Sequence, residues 1–292
     1  MQTKCGNVVL IGEANVGKSS IVNAIVGERV SIVADLAGTT RSAVRGVKTL
    51  NDYQIIFLDT PGMHKSINQL HKFSQKQISH ALADADVIVY VLDDIKPDFI
   101  EKIKNYENFG CPVIVAVNKV DKTTMQKLYP KLEELNKIEF VKDIVPVSAK
   151  TGQNIDVLES KIVRFLPLTE FQFEKDEYTD QTTKSMAEEI IRAELLKHLG
   201  REIPHGLAVK ISKWIPGRRE IEIHADIICE KASHKPIIIG KRGSILKQVG
   251  MTARDEIRKL TGTHVLLWTH VFVRENWRTS NSKLKALGFE QH

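Results

Sequence analysis

The chain has 292 residues, of which 42% are hydrophobic and 27% charged, with a formal net charge of +6; this composition excludes an intrinsically disordered protein. No stretch approaches the roughly 18–20 apolar residues of a membrane-spanning helix, and the first residues lack the apolar core of a secretory signal. Three scattered cysteines without a CxxC pair argue against a disulfide framework or a zinc site. A reduced, cytoplasmic protein with two domains is expected.

Short apolar runs alternate with amphipathic stretches from residue 7 to residue 166. Strands that alternate with helices are typical of βαβ units, so the pattern predicts an α/β domain with a mostly parallel sheet and helices on both faces. Ligands of such sheets bind at the carboxyl ends of the strands. The predicted strands are 7–11, 53–58, 87–92, 112–117 and 144–147, and the predicted helices are 18–27, 68–83, 97–109, 123–137 and 153–166.

A linker is predicted over 167–183, between a first domain at 1–166 and an α+β domain at 184–292. The expected elements of the second domain are helices at 184–200, 244–260 and 276–287, strands at 206–215, 219–229 and 264–274, and a short apolar turn at 236–239. Positive charge is concentrated at its end, since residues 231–292 hold 12 Lys and Arg against 4 Asp and Glu. Such a region favours a polyanionic partner, either nucleic acid or an anionic membrane.

The segment GEANVGKS (12–19) follows the first predicted strand, opens the first predicted helix and fits the P-loop pattern. In such a loop, consecutive backbone N–H groups point at phosphate oxygens and the helix N-terminus adds its dipole. Lys18 is predicted to reach the β- and γ-phosphates, and the Ser19 hydroxyl to bind Mg²⁺. The predicted phosphate-site residues are Gly12, Asn15, Val16, Gly17, Lys18, Ser19 and Ser20.

A second motif, NKVD (118–121), comes directly after a predicted strand and indicates a guanine site. The Asp121 carboxylate is an acceptor that matches the adjacent N1–H and N2–H₂ donors of guanine, whereas adenine has an acceptor at N1 and no amino group at C2. The segment SAK (148–150), after the last strand of this domain, strengthens the interpretation. The predicted guanine-site residues are Asn118, Lys119, Asp121, Ser148, Ala149 and Lys150.

Two segments between these motifs are candidate switches. Asp59 ends a strand and could hold a water on Mg²⁺, and the N–H of Gly62 could sense the γ-phosphate. Thr40, in GTTR (38–41), is the candidate hydroxyl that completes the metal shell in the triphosphate state. Binding of γ-phosphate and Mg²⁺ would order both segments, and hydrolysis would release them. The candidates for catalysis are therefore Lys18, Thr40, Asp59 and Gly62.

The segment IIIGKRG (237–243) contains the GxxG loop with which KH domains hold single-stranded RNA. The loop joins two helices and approaches the nucleic-acid backbone so closely that a side chain at either glycine would collide. Its two variable positions are cations, which suits phosphates. Trp268 and Trp277 could stack on bases, although core roles are favoured for both. The predicted RNA-binding residues are Gly240, Lys241, Arg242, Gly243 and Lys247.

In order and spacing, these motifs resemble the Era family of GTPases, which pair a GTP-binding domain with a C-terminal type II KH domain. The similarity extends over nearly the whole chain and includes GTTR, DTPGMH, NKVD, SAKTG, IIIGKRGSILK and VFVRENWR. The pair Glu13-Ala14 departs from the basic residue and proline that relatives commonly carry, and it adds a negative charge near the phosphates. Met63 stands where many GTPases have a water-orienting glutamine, and the family shares this hydrophobic replacement. The resemblance implies an active but slow GTPase, on the order of 10⁻³ s⁻¹ or below.

The resemblance also implies ligands, partners and a location. GTP or GDP and Mg²⁺ are expected, and K⁺ beside the phosphates at Asn15 is weighed equally against Asn15 as an ordinary loop residue. The implied partners are the 3′ end of 16S rRNA and the 30S subunit, rather than DNA, for a cytoplasmic monomer. Two other functions stay open: a non-catalytic RNA-binding adaptor with a structural nucleotide, and a regulatory GTPase in peripheral contact with the inner membrane.

Overall fold

The computed structural model describes residues 2–32, 44–60, 69–96, 98–199, 203 and 206–287. The candidate switch residues Thr40 and Gly62 lie outside the described residues, and so does Met63. Contacts divide the chain into two compact units. The described residues of the first unit are mainly 2–31, 44–60 and 74–180, and those of the second are mainly 181–287.

A six-stranded sheet forms the centre of the first unit. Its elements are β1 (Lys4–Ile11), α1 (Lys18–Val26), β2 (Val44–Thr49), β3 (Tyr53–Asp59), α2 (Gln69–Ala83), β4 (Val87–Leu92), α3 (Phe99–Lys104), β5 (Val113–Val117), α4 (Met125–Leu135), β6 (Val141–Pro146) and α5 (Ile155–Phe165). The strand order is β2-β3-β1-β4-β5-β6. Only β2 runs antiparallel to its neighbour among these strands. The predicted α/β fold is confirmed.

The central strands are apolar throughout because helices cover both faces of the sheet. Every residue of β4 (VIVYVL) and β5 (VIVAV) is buried. Helices α1 and α5 contribute Ile21 and Leu158 to the core on one face, and α3 and α4 contribute Ile103 and Leu135 to the core on the other. Parallel strands buried on both sides read as continuous hydrophobic runs rather than alternating ones. The sheet therefore presents its loops at the carboxyl ends of firmly packed strands.

Strand β2 is the element of this unit that the sequence pattern did not predict. Its sequence, VRGVKT, interrupts the apolar residues with two cations and a glycine, as suits an edge strand that is partly exposed. A Cβ at Gly46 would lie 2.8 Å from Val22 Cγ1 of α1 and 2.9 Å from Val30 Cγ2. The glycine therefore lets the strand approach α1, a reason that the strand's own sequence does not reveal.

The segment at residues 167–180 is hydrogen-bonded to the first unit through the buried side chain of Gln54. The Gln54 carbonyl oxygen accepts from the backbone N–H groups of Gln172 (2.8 Å) and Phe173 (3.0 Å). The Gln54 amide donates to the Phe173 carbonyl at 2.9 Å. The greater part of the predicted linker is thus an ordered part of this unit.

The second unit contains a three-stranded sheet with helices packed on one face. Its elements are α6 (Thr183–His198), β7 (Ala208–Pro216), β8 (Glu220–Cys229), α7 (His234–Ile239), α8 (Ser244–Thr261), β9 (His264–Val273) and α9 (Asn281–Ala286). The strand order is β7-β8-β9, with the first pair antiparallel and the second parallel. The stretch predicted as an apolar turn at 236–239 is instead the end of helix α7. This order of elements is the one expected of a type II KH domain.

The two tryptophans singled out in the sequence lie in different environments. Trp277 is buried with Leu284 and Leu287, and its Nε1–H donates to the Gly206 carbonyl at 3.1 Å, as expected for a core residue. Trp268 is 55% exposed on β9, so the expected core role is wrong for this residue. Alternation along a strand shows which residues share a face but not which face is covered. Within the described part of the chain, no helix combines the length and hydropathy of a membrane span.

Candidate nucleotide and nucleic-acid sites

The loop between β1 and α1 depends on two glycines with positive φ. Gly12 has φ 147° and Gly17 has φ 97°. A Cβ at Gly12 would lie 2.2 Å from the Val91 carbonyl oxygen, and one at Gly17 would lie 2.1 Å from Asn118 Nδ2. The loop is therefore held against the ends of β4 and β5 at a distance that only glycine allows. This fixes its backbone N–H groups for anion binding.

Lys18 is the first residue of α1, and its side chain folds back into the loop. Its Nζ donates to the carbonyl oxygens of Gly12 (3.2 Å) and Glu13 (3.0 Å). Burial lowers the pKa of the ammonium, and the neighbouring charge of Asp59 acts in the opposite direction. A cation held in the middle of a loop of backbone donors suits a polyphosphate. Of the other predicted residues here, Val16 is buried and Ser20 is half-buried.

The two described candidates for the Mg²⁺ site lie side by side. The Ser19 hydroxyl donates to Asp59 Oδ2 at 2.6 Å, and Asp59 is fully buried at the end of β3. The next residue, Thr60, donates its hydroxyl to the Leu10 carbonyl at 2.8 Å, which ties this end of β3 to β1. A hydroxyl and a carboxylate are the hard oxygen donors that Mg²⁺ prefers. The donor set fits this metal.

Asn118 joins the loops after three different strands. Its Nδ2 donates to the Val16 carbonyl at 2.8 Å, and its Oδ1 accepts from the Ala149 N–H at 3.1 Å. Asn118 was predicted as a guanine-site residue from its motif. The structure shows that its side chain connects the P-loop, the NKVD segment and the SAK segment. Sequence alone could not indicate this role, because the bonded residues are far apart in the chain.

The Asp121 carboxylate is exposed and oriented by a buried serine. Ser148 donates its hydroxyl to Asp121 Oδ1 at 2.7 Å, and this hydrogen bond lowers the Asp121 pKa. Lys119 has a left-handed φ of 62°, and its Nζ donates to the Asn15 carbonyl at 2.5 Å and to Asp93 Oδ2 at 2.6 Å. The site thus presents an ionised acceptor where a guanine edge would need one. The remaining predicted residue, Lys150, is exposed next to it.

Glu13 lies in an ion-pair cluster that the sequence did not reveal. Its carboxylate pairs with Lys96 at 2.8 Å and with Lys102 of α3 at 2.7 Å. The hydrogen bonds from Lys102 and then Lys96 lower the Glu13 pKa to about 2. The negative charge that distinguishes this P-loop is therefore balanced by two lysines. Because Lys102 lies 89 residues along the chain, no local pattern could have linked the two.

The GxxG loop joins α7 to α8 in the second unit. At Gly240 (φ 76°), a Cβ would lie 2.7 Å from Ile245 Cγ1 and 2.8 Å from Ile245 N, so the protein itself excludes a side chain there. At Gly243 (φ 78°), a Cβ would meet no atom within 4 Å among the described residues, which leaves that surface accessible to a ligand backbone. The exposed cations at this loop are Lys241, Arg242 and Lys247.

Comparisons with known proteins extend over the whole chain. Residues 7–119 match the family model described as 50S ribosome-binding GTPase, and residues 202–278 match that of the KH domain. GTPase Era from Alkaliphilus metalliredigens is 40% identical over 99% of this chain and 100% of its own length. GTPase Era from Caldanaerobacter subterraneus is 39% identical over 99% of both chains.

Two solved structures match with TM-scores of 0.94 at 36% identity, each covering 99% of this chain and 100% of its own. One is Era in complex with MgGDPNP and nucleotides 1506–1542 of 16S ribosomal RNA. The other is a variant of Aquifex aeolicus Era bound to GDP and AlF₄⁻. Similarity at this level, carried through both halves of a chain that has a P-loop, an NKVD segment and a GxxG loop, shows that the protein belongs to the GTPase Era family.

Proposed function

We propose that this protein hydrolyses GTP, binds the 3′ end of 16S rRNA and acts in assembly of the small ribosomal subunit. One observation carries the proposal: a P-loop with a guanine-selective carboxylate and a GxxG loop with exposed cations occur in the same chain. The related Era structure was solved with MgGDPNP and nucleotides 1506–1542 of 16S ribosomal RNA. Both kinds of ligand therefore suit the two sites described above.

Different residues of the GTP-binding domain would bind the phosphates, the base and the metal. Lys18 and the P-loop N–H groups hold the phosphates, and Asp121 selects guanine by accepting from its two donors. Ser19 and, through a water, Asp59 would hold Mg²⁺, and Thr40 would complete the metal shell in the triphosphate state. When bound, the metal would neutralise the negative charge that develops on the phosphate oxygens. The Gly62 N–H would sense the γ-phosphate.

Loss of phosphate release in a single variant distinguishes the GTPase from the adaptor alternative. With the purified wild-type protein, GTP should give slow phosphate release over many turnovers. In Lys18→Ala the rate should fall by about a hundredfold or more, because a cation at the transferred phosphate is lost. Thermal melts of both proteins show whether the variant is folded. A wild-type protein that binds GTP but never releases phosphate would support the adaptor instead.

We propose that K⁺ increases the slow rate of GTP hydrolysis. A methionine at position 63 cannot orient an attacking water, so another group must supply part of the missing stabilisation. Asn15 has a left-handed φ of 65° in the P-loop, and its carbonyl is held by Lys119. Initial GTPase rates in KCl and NaCl at equal ionic strength test the role of this residue. Faster hydrolysis in KCl, lost in Asn15→Ala, is expected; equal rates in the two salts reject K⁺ activation.

The basic region is assigned to RNA rather than to a membrane surface. Membrane binding would need an apolar helix face next to the cations. Leu284 of α9 and Leu287, which follows the helix, are instead buried with Trp277. The described cations at the GxxG loop, by contrast, are exposed and flank a glycine with open space around it.

A further inference from the structure

The sheet of the second unit has an outer face that its own helices leave largely uncovered. Alternate residues of β8, Ile221, Ile223, Ala225 and Ile227, point into the core formed with α6 and α8. The GxxG loop leads into α8 and so lies on that inner side. At one end of the outer face, Ala208 and Ile228 are buried with Trp277. Along the rest of the face, the outward side chains of β9 are exposed.

An aromatic row follows the outer face of β9. Trp268 is 55% exposed, Phe272 is 47% exposed and Leu266 is 37% exposed. The His224 ring on β8 lies 6.4 Å from the Trp268 ring and 6.3 Å from the His270 ring, in stacked orientation, and the His270 and Phe272 rings are 6.5 Å apart. These rings form one continuous surface. Exposed contiguous apolar groups of this kind mark interaction sites.

An acidic row follows the same face of β8. Glu222 and Asp226 alternate with His224, and Glu220 precedes them at the start of the strand. Glu222 contacts His224 Nε2 at 2.7 Å, and Asp226 accepts from the Ser212 hydroxyl at 3.3 Å. Within the described residues, no Lys or Arg forms a salt bridge with any of these three carboxylates. These negative charges lie beside the aromatic row, on a strand that precedes the basic region at residues 231–292.

The two lysines of β7 do not neutralise this row within the described residues. Lys210 lies opposite Asp226 in the register of the two strands, but its Nζ pairs with Glu188 of α6 at 3.3 Å. Lys213 is exposed and lies opposite His224 in the register of the two strands. The outer face therefore offers carboxylates and aromatic rings together.

We propose that the outer face of sheet β7-β8-β9 binds a basic, arginine-rich segment of a partner protein. A guanidinium can stack on Trp268 or Phe272 while it forms hydrogen bonds to a neighbouring carboxylate. RNA is disfavoured, because its phosphates would lie against Glu222 and Asp226. The RNA-binding cations are on the opposite, helical side, so RNA and a basic protein segment could occupy the unit together. This partner is additional to the RNA of the proposed function.

The test uses the full-length protein and a short fluorescent peptide in which arginine alternates with glycine. A matched peptide carries citrulline, which keeps the shape of arginine without its charge. Anisotropy titrations should show binding of the arginine peptide only. Trp268→Ala and the double variant Glu222→Gln with Asp226→Asn should each weaken binding about three- to tenfold. Tyr129→Ala, which removes a 59% exposed ring from α4, is the matched control and should bind as the wild type does.

Three outcomes overturn the proposal. They are failure of the arginine peptide to bind, equal binding of the citrulline peptide, and equal affinity in the Trp268 and acidic-row variants. A loss of single-stranded RNA affinity in Trp268→Ala would also overturn it, by identifying the face as an RNA platform. Thermal melts show that each variant is folded. GTPase rate and RNA affinity are expected to be unchanged in these variants, so failure here leaves the proposed function standing.

Discussion

If the proposed role of Asp121 is correct, base selection rests on its carboxylate, and replacing one oxygen of that group should change it. In Asp121→Asn, an amide replaces the acceptor that matches both guanine donors. Affinity for GDP should fall by about a hundredfold or more, because one guanine donor then faces the donor group of the amide. Xanthosine diphosphate should bind the variant better than the wild type, since its C2 oxygen accepts from the new amide. Isothermal titration calorimetry with both nucleotides measures this exchange.

A variant at Ser148 should have a smaller effect on GDP binding than Asp121→Asn, and it serves as the control for that variant. The Ser148 hydroxyl donates to Asp121 at 2.7 Å. The two guanine donors, N1–H and N2–H₂, are predicted to bind Asp121 and not Ser148. Ser148→Ala should therefore weaken GDP binding about fivefold, the cost of one hydrogen bond, and leave the preference for guanine intact. Unchanged GDP affinity in Asp121→Asn would show that the base is selected elsewhere.

At the scale of residues, sequence could predict roles that a motif defines and not roles that the fold creates. Lys18, Ser19 and Asp121 were predicted as nucleotide-site residues because their spacing from strands and glycines is typical of that chemistry. The ion pairs of Glu13 escaped prediction, since α3 brings its partners from a distant segment. Trp268 was assigned to the wrong environment because alternation gives two faces without saying which one helices cover.

At the scale of elements, the edge strand β2 is stabilised by the end of the linker. The backbone N–H of Val47 donates to the Tyr178 carbonyl at 2.8 Å, and the Thr179 hydroxyl donates to the Arg45 carbonyl at 2.7 Å. The second pair is separated by 134 residues in the chain. No local pattern could predict such a strand, whereas β4 and β5 were predictable from apolar runs that packing on both faces requires.

The packing of residues 167–180 is expected to depend on the hydrogen bonds of Gln54. In Gln54→Leu, a side chain of similar size loses its hydrogen bonds and leaves backbone groups of Gln172 and Phe173 unpaired. The free energy of unfolding should fall by about 2–4 kcal/mol, as expected when buried polar groups lose their partners. Urea unfolding measures the change. Gln126→Leu, on the exposed side of α4, is the matched control and should change stability by less than about 0.5 kcal/mol.

At the scale of the whole molecule, positive charge is concentrated where the GxxG loop lies. Residues 231–292 hold 12 Lys and Arg against 4 Asp and Glu, whereas residues 1–166 hold 21 against 19. The sequence alone shows this difference: the nucleotide-binding part of the chain is nearly neutral, and the part with the GxxG loop is positively charged. Length and motifs were enough to predict two domains, because a P-loop is typical of an α/β sheet and a GxxG loop is typical of a KH domain. The packing of residues 167–180 could not be predicted, because its hydrogen-bond partners are distant in sequence.

The position of these charges, and not their number, should decide RNA affinity. Lys241→Asp with Arg242→Asp should weaken binding of a single-stranded RNA from the 3′ end of 16S rRNA by about a hundredfold or more, and GDP affinity should stay unchanged. Lys283→Asp with Lys285→Asp gives the same change in net charge on α9, and should have a small effect. In Lys241→Ala with Arg242→Ala, the slope of log K against log salt should decrease in magnitude by about 1.4, or 0.7 for each lost phosphate contact. Equal losses in the two charge-reversed proteins would mean that RNA responds only to the overall field, and that the GxxG loop does not position the strand.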